Sequence, residues 1–131
     1  MKIQDFRDIL FKIGIDAQQD PTYLFRLNAV YGGGHYVFEH DDASDPFYFR
    51  IVLPVVADTD DGTIVTNETV NRFNVDFKAT KIIQQGTQFH IVSEQYVFDY
   101  STLESVVQRV VAIMGNEIVQ FHQTINSGSH E

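Results

Sequence analysis

Carboxylates and imidazoles are the side chains of this chain that could do chemistry, and their spacing decides how far that goes. Asp58-Thr59-Asp60-Asp61-Gly62 opens like a calcium loop. Such a loop needs oxygen ligands at alternate positions, a glycine at the sixth and a glutamate at the twelfth. Gly62 comes one residue early and Thr69 stands where the glutamate belongs, so the segment reads as a turn. His35 and His40, with Asp41 and Asp42, are candidate metal ligands. On one strand an odd spacing sends two side chains to opposite faces, so a shared site requires the strand to break at His40. His90 and His122 have no partner at ligand spacing. Gly32-Gly33-Gly34 is followed neither by GK[ST] nor by a helix, which excludes a phosphate loop. Ser44, Ser93, Ser101 and Ser105 lack a nucleophile-elbow context. The acids are many, but nothing pairs any two in a cleft. The absence of cysteine removes thiolate ligands, disulfides and cysteine nucleophiles together. The expectation is a non-enzymatic chain with no catalytic residue, no cofactor and no metal.

The bulk properties narrow the class of partner. The chain has 131 residues, 44% hydrophobic and 13% aromatic, which is one domain's length with enough apolar content for a packed core. The formal net charge is -9. Nucleic acid and anionic membrane are therefore disfavoured partners, since both are bound through Lys and Arg. Between Tyr36 and Gly62 seven acids face the single base Arg50, so about six of the nine excess charges lie there, mostly at strand ends and turns. That pattern reads as a solvated edge. No run reaches the length of a membrane span, and Asp5, Arg7, Asp8 and Lys12 interrupt the N-terminal apolar run where a secretory signal would not. A cytoplasmic location is the expectation.

The elements that would position any site are legible from periodicity. Ile3, Phe6, Ile9, Leu10 and Ile13 make one helical stripe, stopped by Gly14, so a first helix is expected over Lys2 to Ile13. Ile15 to Gln19 has room for a short strand. Strands are expected over Thr22 to Tyr31, His35 to Glu39 and Phe47 to Ala57, as an antiparallel meander because the links are short. Pro54 places the last of these at an edge, or bends it there. A second helix starts behind Thr66 as N-cap and ends near Asn74 or Val75. Phe77 to Gln85 and Gln88 to Phe98 form a hairpin about Gly86-Thr87, of the type II′ that a leading glycine suits. Ser101-Thr102-Leu103-Glu104 fits a capping box and opens a third helix. Its stripe runs Leu103, Val106, Val107, Val110, Met114, Ile118, Phe121 and Ile125, broadened by Val111, Ile113 and Val119. A stripe that wide suggests burial by the sheet and by a second subunit. The expected fold class is α+β, in the order α-β-β-β-α-β-β-α, as a single domain over 1–125 with a loose tail over 126–131.

Asn71, Phe73 and Asn74 stand as N-x-F-N at the end of the second helix, followed by the hairpin ending at Phe98 and the helix opened at Ser101. That stretch of about forty residues, with the order of elements before it, resembles the YbjN-like family and the wider type III secretion chaperone-like fold. It departs from the family at the hairpin turn, which is Gln84-Gln85-Gly86-Thr87 rather than acidic. The resemblance implies a protein that binds other proteins. Type III chaperones are small, acidic, cytoplasmic homodimers that hold an extended client, and YbjN-like proteins are described as regulators of undefined partners. A protein client or regulatory partner and a homodimer are the expectations that follow. The residues assigned to the contact surface are Phe47, Tyr48, Phe49 and Phe89 from the sheet, as aromatics suited to interfaces, and Val107, Val111, Met114 and Ile118 from the third helix. The alternative is a small-ligand-binding or enzymatic domain with a pocket between sheet and helices.

Overall fold

In the computed structural model, which describes residues 1–44 and 47–128, the chain folds as three α-helices packed against one antiparallel sheet. The helices are α1 (Ile3–Lys12), α2 (Asn67–Asp76) and α3 (Leu103–Gly128). The strands are β1 (Gln18–Gln19), β2 (Arg26–Tyr31), β3 (Gly34–His40), β4 (Phe47–Asp58), β5 (Lys81–Gln85) and β6 (Gln88–Val97). They lie in the order β1-β2-β3-β4-β6-β5, every neighbouring pair antiparallel. This is the α+β class and element order read from the sequence, with the two-residue β1 forming inside Ile15 to Gln19, where a short strand had room. Among the described residues no helix is long and apolar enough to cross a membrane.

Turn chemistry sets the register. Gly32 and Gly33 both have positive φ (58° and 80°), as a type I′ turn demands, and they join β2 to β3 with Tyr31 opposite Gly34. Gly86 has φ 62° while Thr87 stays negative, which is the pattern of the expected type II′ turn. The Asp58–Gly62 segment is a turn as well. Asp58 Oδ1 accepts from the Asp60 amide at 2.9 Å, and this bond draws its carboxyl below the usual range. Asp42, from the acidic stretch, accepts from the Ile3 amide at 2.9 Å and so serves a donor left open by the first turn of α1. Residues 45 and 46 of that stretch lie outside the described residues.

Several boundaries differ from the periodic reading. The strand expected from Thr22 begins only at Arg26. The Asp20 carboxylate accepts from the amides of Thr22 (2.8 Å) and Tyr23 (2.9 Å) and from Asn28 Nδ2 (2.9 Å), which folds residues 20–25 into a turn and lowers the Asp20 pKa. α2 is capped by Thr66 as expected, with the Thr69 amide 3.1 Å from its hydroxyl. It runs on to Asp76, and Phe77 closes it with its ring 4.5 Å from that of Phe73, so β5 waits until Lys81. The capping box at Ser101 is replaced. Asp99, two residues earlier, takes both the Ser101 amide (3.0 Å) and its hydroxyl (2.7 Å) and starts a 3-10 turn that leads into α3. A carboxylate is the stronger acceptor, and Ser101 is spent as its donor. α3 continues through 126–128, part of the stretch assigned to a loose tail; 129–131 lie outside the described residues.

Pro54 does not mark an edge, because β4 runs between β3 and β6. The second alternative, a bend, is what forms. Pairing with β3 ends at Val52, so no bond there is lost to the missing N–H. Leu53 pairs with Ile91 and Ala57 with Phe89, leaving Pro54, Val55 and Val56 opposite His90 as a bulge. Val55 has φ 51°, a costly conformation for a β-branched residue. Two imidazoles hold it. His90 Nδ1 accepts from the Val55 amide at 2.9 Å, and His122 Nε2 on α3 donates to the Val56 carbonyl at 2.7 Å.

A candidate binding face

The sheet has two unlike faces because side chains alternate along a strand. On β4, Phe47, Phe49, Ile51 and Leu53 point one way, into a core shared with Phe38, Ile91, Leu103, Val107 and Phe121. All three helices lie on that side. The α1 residue Phe6 has its ring 5.6 Å from Phe49, and Phe73 of α2 meets Phe121 of α3 edge-on at 6.0 Å. Tyr48, Arg50 and Val52 point the other way, outside the core under the helices. Tyr48 and Arg50 are half-buried and Val52 is buried, and on this side the Tyr23 ring of the 20–25 turn stands 4.5 Å from the Arg26 guanidinium.

Pairing across the strands arranges this open face in rows. Arg26 of β2, Glu39 of β3, Arg50 of β4 and Glu94 of β6 are successive partners and alternate in sign. Glu39 ties the row together: Arg26 Nη2 approaches its Oε2 at 3.1 Å and Arg50 Nε its Oε1 at 3.4 Å. Beside this charged row runs an apolar one, in which Val37, Val52 and Val92 are successive partners, Val37 half-buried and the other two buried. On the far side of the charges Tyr48 pairs with Tyr96, ring centroids 5.1 Å apart. Burial, then the neighbouring Glu94, raises the Tyr48 pKa and keeps the phenol a hydrogen-bond donor. His90 lies beyond the valines, opposite Ile83, with its Nδ1 bonded to Val55. Its Nε2 is buried and has no hydrogen-bond partner among the described residues. Burial, then Arg50, lowers its pKa, so the ring is neutral near pH 7. A shallow cleft of about 490 Å³ opens beside the middle of the charged row, lined by Phe25, Glu39, His40, Asp41, Tyr48 and Arg50.

No protein-family model and no curated protein sequence matches the chain. A solved structure does: the crystal structure of YbjN from E. coli, a proposed transcription regulator, overlays with a TM-score of 0.61 across 95% of this chain and 93% of that one. The chain has a YbjN-like fold. Identity over that overlay is 13%, so the likeness is one of architecture.

Within the YbjN-like fold the residues assigned to a contact surface separate sharply. Phe47, Phe49, Phe89, Val107, Val111 and Met114 are buried inside the single chain. Ile118 is half-buried, packed against the core, and Tyr48 alone of the eight stands on the open face. Hydrophobicity and aromaticity do not say which side of a sheet is covered, and the helices cover the side carrying the phenylalanines. Most of the wide α3 stripe is likewise used within the chain, while Ile113 and Val119, which broaden it, stay exposed. Phe73 of α2 meets its C-terminal half at Phe121, and Ile13 and Ile15 after α1 line a cleft with Val111 nearer its start. The sheet residues that do line the open face, Arg26, Val37, Glu39, Arg50, Val52, Val92 and Glu94, were not singled out by sequence. Their signal was present in the period-two alternation of β3, β4 and β6, but it needed the strand order to become rows.

The remaining candidates find structural uses. His35 and His40 do point to opposite faces, and both ring nitrogens of His40 meet main-chain carbonyls, Tyr48 at 2.9 Å and Met1 at 2.6 Å. Asn74 pairs with the backbone of Ile82 in both directions, its Oδ1 accepting at 2.7 Å and its Nδ2 donating at 3.3 Å. It thereby occupies the outer rim of β5, an edge strand that is otherwise open to pairing. Glu117 of α3 is buried on the helix side and accepts from the Thr80 hydroxyl. Burial outweighs that bond and raises its pKa. Among the described residues no three His, Asp or Glu side chains gather as a metal site. The space between sheet and helices is filled by aromatic and aliphatic side chains; clefts of about 190 Å³ between α2 and α3 and of about 170 Å³ beside Ile13, Tyr31 and Val111 open at its rim.

Proposed function

We propose that the chain is a non-enzymatic protein-binding module of regulatory or chaperone-like type, with the open sheet face as its contact surface. One observation carries this: every helix packs on one side of the sheet, and the other side carries a tied row of charges flanked by the half-buried Val37 and Tyr48 and the exposed Tyr96. Apolar area supplies affinity, while placed charges supply orientation and selectivity. The YbjN-like fold supports a regulatory role by analogy of architecture alone. With a net charge of -9, regulation through a protein partner fits better than direct contact with DNA.

The test is photo-crosslinking from two positions in the full chain. A benzophenone side chain replaces Tyr48 on the open face in one variant and Arg109 on exposed α3 in the other. Adducts from position 48, lost when Val37 is changed to Arg, are expected. Adducts from position 109 alone, or none from 48, would remove the open face from the proposal.

A further inference from the structure

The charged row has a symmetry that selects its occupant. In order across the sheet its signs are plus, minus, plus, minus, from Arg26, Glu39, Arg50 and Glu94. We infer that the open face is occupied by a second copy of this chain, face to face, about a two-fold axis parallel to the strands and midway between β3 and β4. This rests on the open face being the contact surface, and it names the partner.

Two sheets packed face to face are related by an axis lying in the plane between them, and a symmetric dimer places the same patch on both sides. An axis along the strands reverses the order of strands and keeps each row opposite itself. Arg26 then faces Glu94 of the other copy and Glu39 faces its Arg50, so all four positions meet the opposite charge. An axis across the strands would set Arg26 on Arg26 and Glu39 on Glu39, with like charges meeting at every position. The row thus admits one orientation and opposes the other. The favoured axis also lays Val37 of one copy over Val52 of the other.

The size and overall charge agree. Six strands averaging roughly seven residues give the sheet a footprint of roughly 650 Å² per copy, on the scale of the ~800 Å² each partner gives to a stable interface. Two chains of net charge -9 repel in general, but this row carries two positive and two negative groups, so it is a place where copies can approach.

The experiment inverts the row. The variant Arg26→Glu, Glu39→Arg, Arg50→Glu, Glu94→Arg keeps the net charge and is complementary to itself by the same axis. It is unlike-paired with the original chain at no position. Sedimentation velocity is expected to show a dimer for each chain alone. Native mass spectrometry of isotopically distinguished chains, mixed after separate purification, is expected to show mixed dimers under-represented by about tenfold or more. Should the inverted chain fail to fold, the inner exchange Glu39→Arg, Arg50→Glu opposes the original chain at two of the four positions and reads out the same way. Val37→Arg is expected to weaken dimerisation at least tenfold while leaving the thermal melt of the dilute chain in place. Free mixing of original and inverted chains, or a monomer for the original chain at several hundred micromolar, overturns the inference. The crosslink at position 48 separates the two readings. An adduct with a different protein in a chain that stays monomeric overturns the dimer and leaves the contact face, whereas no adduct overturns both.

Discussion

Phe49 and Arg50 are neighbours on β4, yet they belong to different proteins in the physical sense. Phe49 is sealed among the rings of Phe6 and Phe47 under α1, whereas Arg50 shares a charged row with Glu39 on the bare side. The covered face is held by area removed from water and by close packing. The open face is held by cross-strand pairs, each worth a fraction of a kcal/mol to about 1 kcal/mol. The difference teaches that the same strand can be stability on one side and availability on the other, and each claim can be broken by substitution.

The largest contrast is between Phe49→Ala and Tyr48→Ala. The first is expected to cost about 3–5 kcal/mol of unfolding free energy by the cavity it leaves. The second removes a half-exposed ring and its Tyr96 partner and is expected to cost about 1 kcal/mol. Urea unfolding at low micromolar chain concentration reads both, and equal costs would erase the distinction between the faces.

Next comes the rim of β5. Asn74→Ala leaves the N–H and C=O of Ile82 without their side-chain partner, at an expected cost of about 1–3 kcal/mol. Hydrogen exchange at the Ile82 amide should accelerate by more than at Ile91, its neighbour in the interior of the sheet. Uniform acceleration would mean that Asn74 acts on the whole fold and not on the edge.

The two faces also differ in the sign of their pH response. Glu117, on the covered face, has a folded pKa above its ordinary 4.5. Its contribution is fully present below about pH 4.5 and is lost as pH rises through the folded value. Glu117→Gln keeps the uncharged shape, so it should stabilise the chain at pH 7 relative to wild type, with the gain vanishing toward acid. His90, on the open face, has a folded pKa below its ordinary 6.5. Its contribution is present above about pH 6.5 and is lost as pH falls through the folded value, where a proton on Nδ1 displaces the Val55 amide. His90→Gln should flatten that acid limb. Melting curves from pH 4 to 8 for the two variants check both signs.

The smallest effect is expected at the bulge. Val55→Gly relieves the φ of 51°, offset by added chain entropy in the unfolded state, for a net gain of up to about 1 kcal/mol. Unchanged or lower stability would show that the two imidazoles hold the bulge without strain.

Much of this was legible beforehand, and the failures are physical. The Leu103–Ile125 stripe located α3, and Gly32-Gly33 and Gly86 located two hairpins, because these are local signals. Asp99 was missed as the cap because Ser101 and Glu104 match the usual pattern, although a carboxylate two residues upstream is the better acceptor. Asp20-Pro21 is a bend signal by residue type, but how far the turn extends depends on partners that include Asn28, which only the fold brings near. The candidate surface failed more deeply. Phe47, Phe49 and Phe89 looked suited to an interface, and the helices took them for the core.

The amino-acid sequence determined the α+β class, the number and kind of the principal elements, the turns, and the alternation that splits β4 into two sets of side chains. These depend on residues within a few positions of one another, where propensity, capping and period act directly. Which set would be covered, and that Arg26, Glu39, Arg50 and Glu94 would fall in one row, was decided by the tertiary structure. Strand order and the side chosen by the helices are set by the burial of the whole chain at once, and no local spacing encodes them.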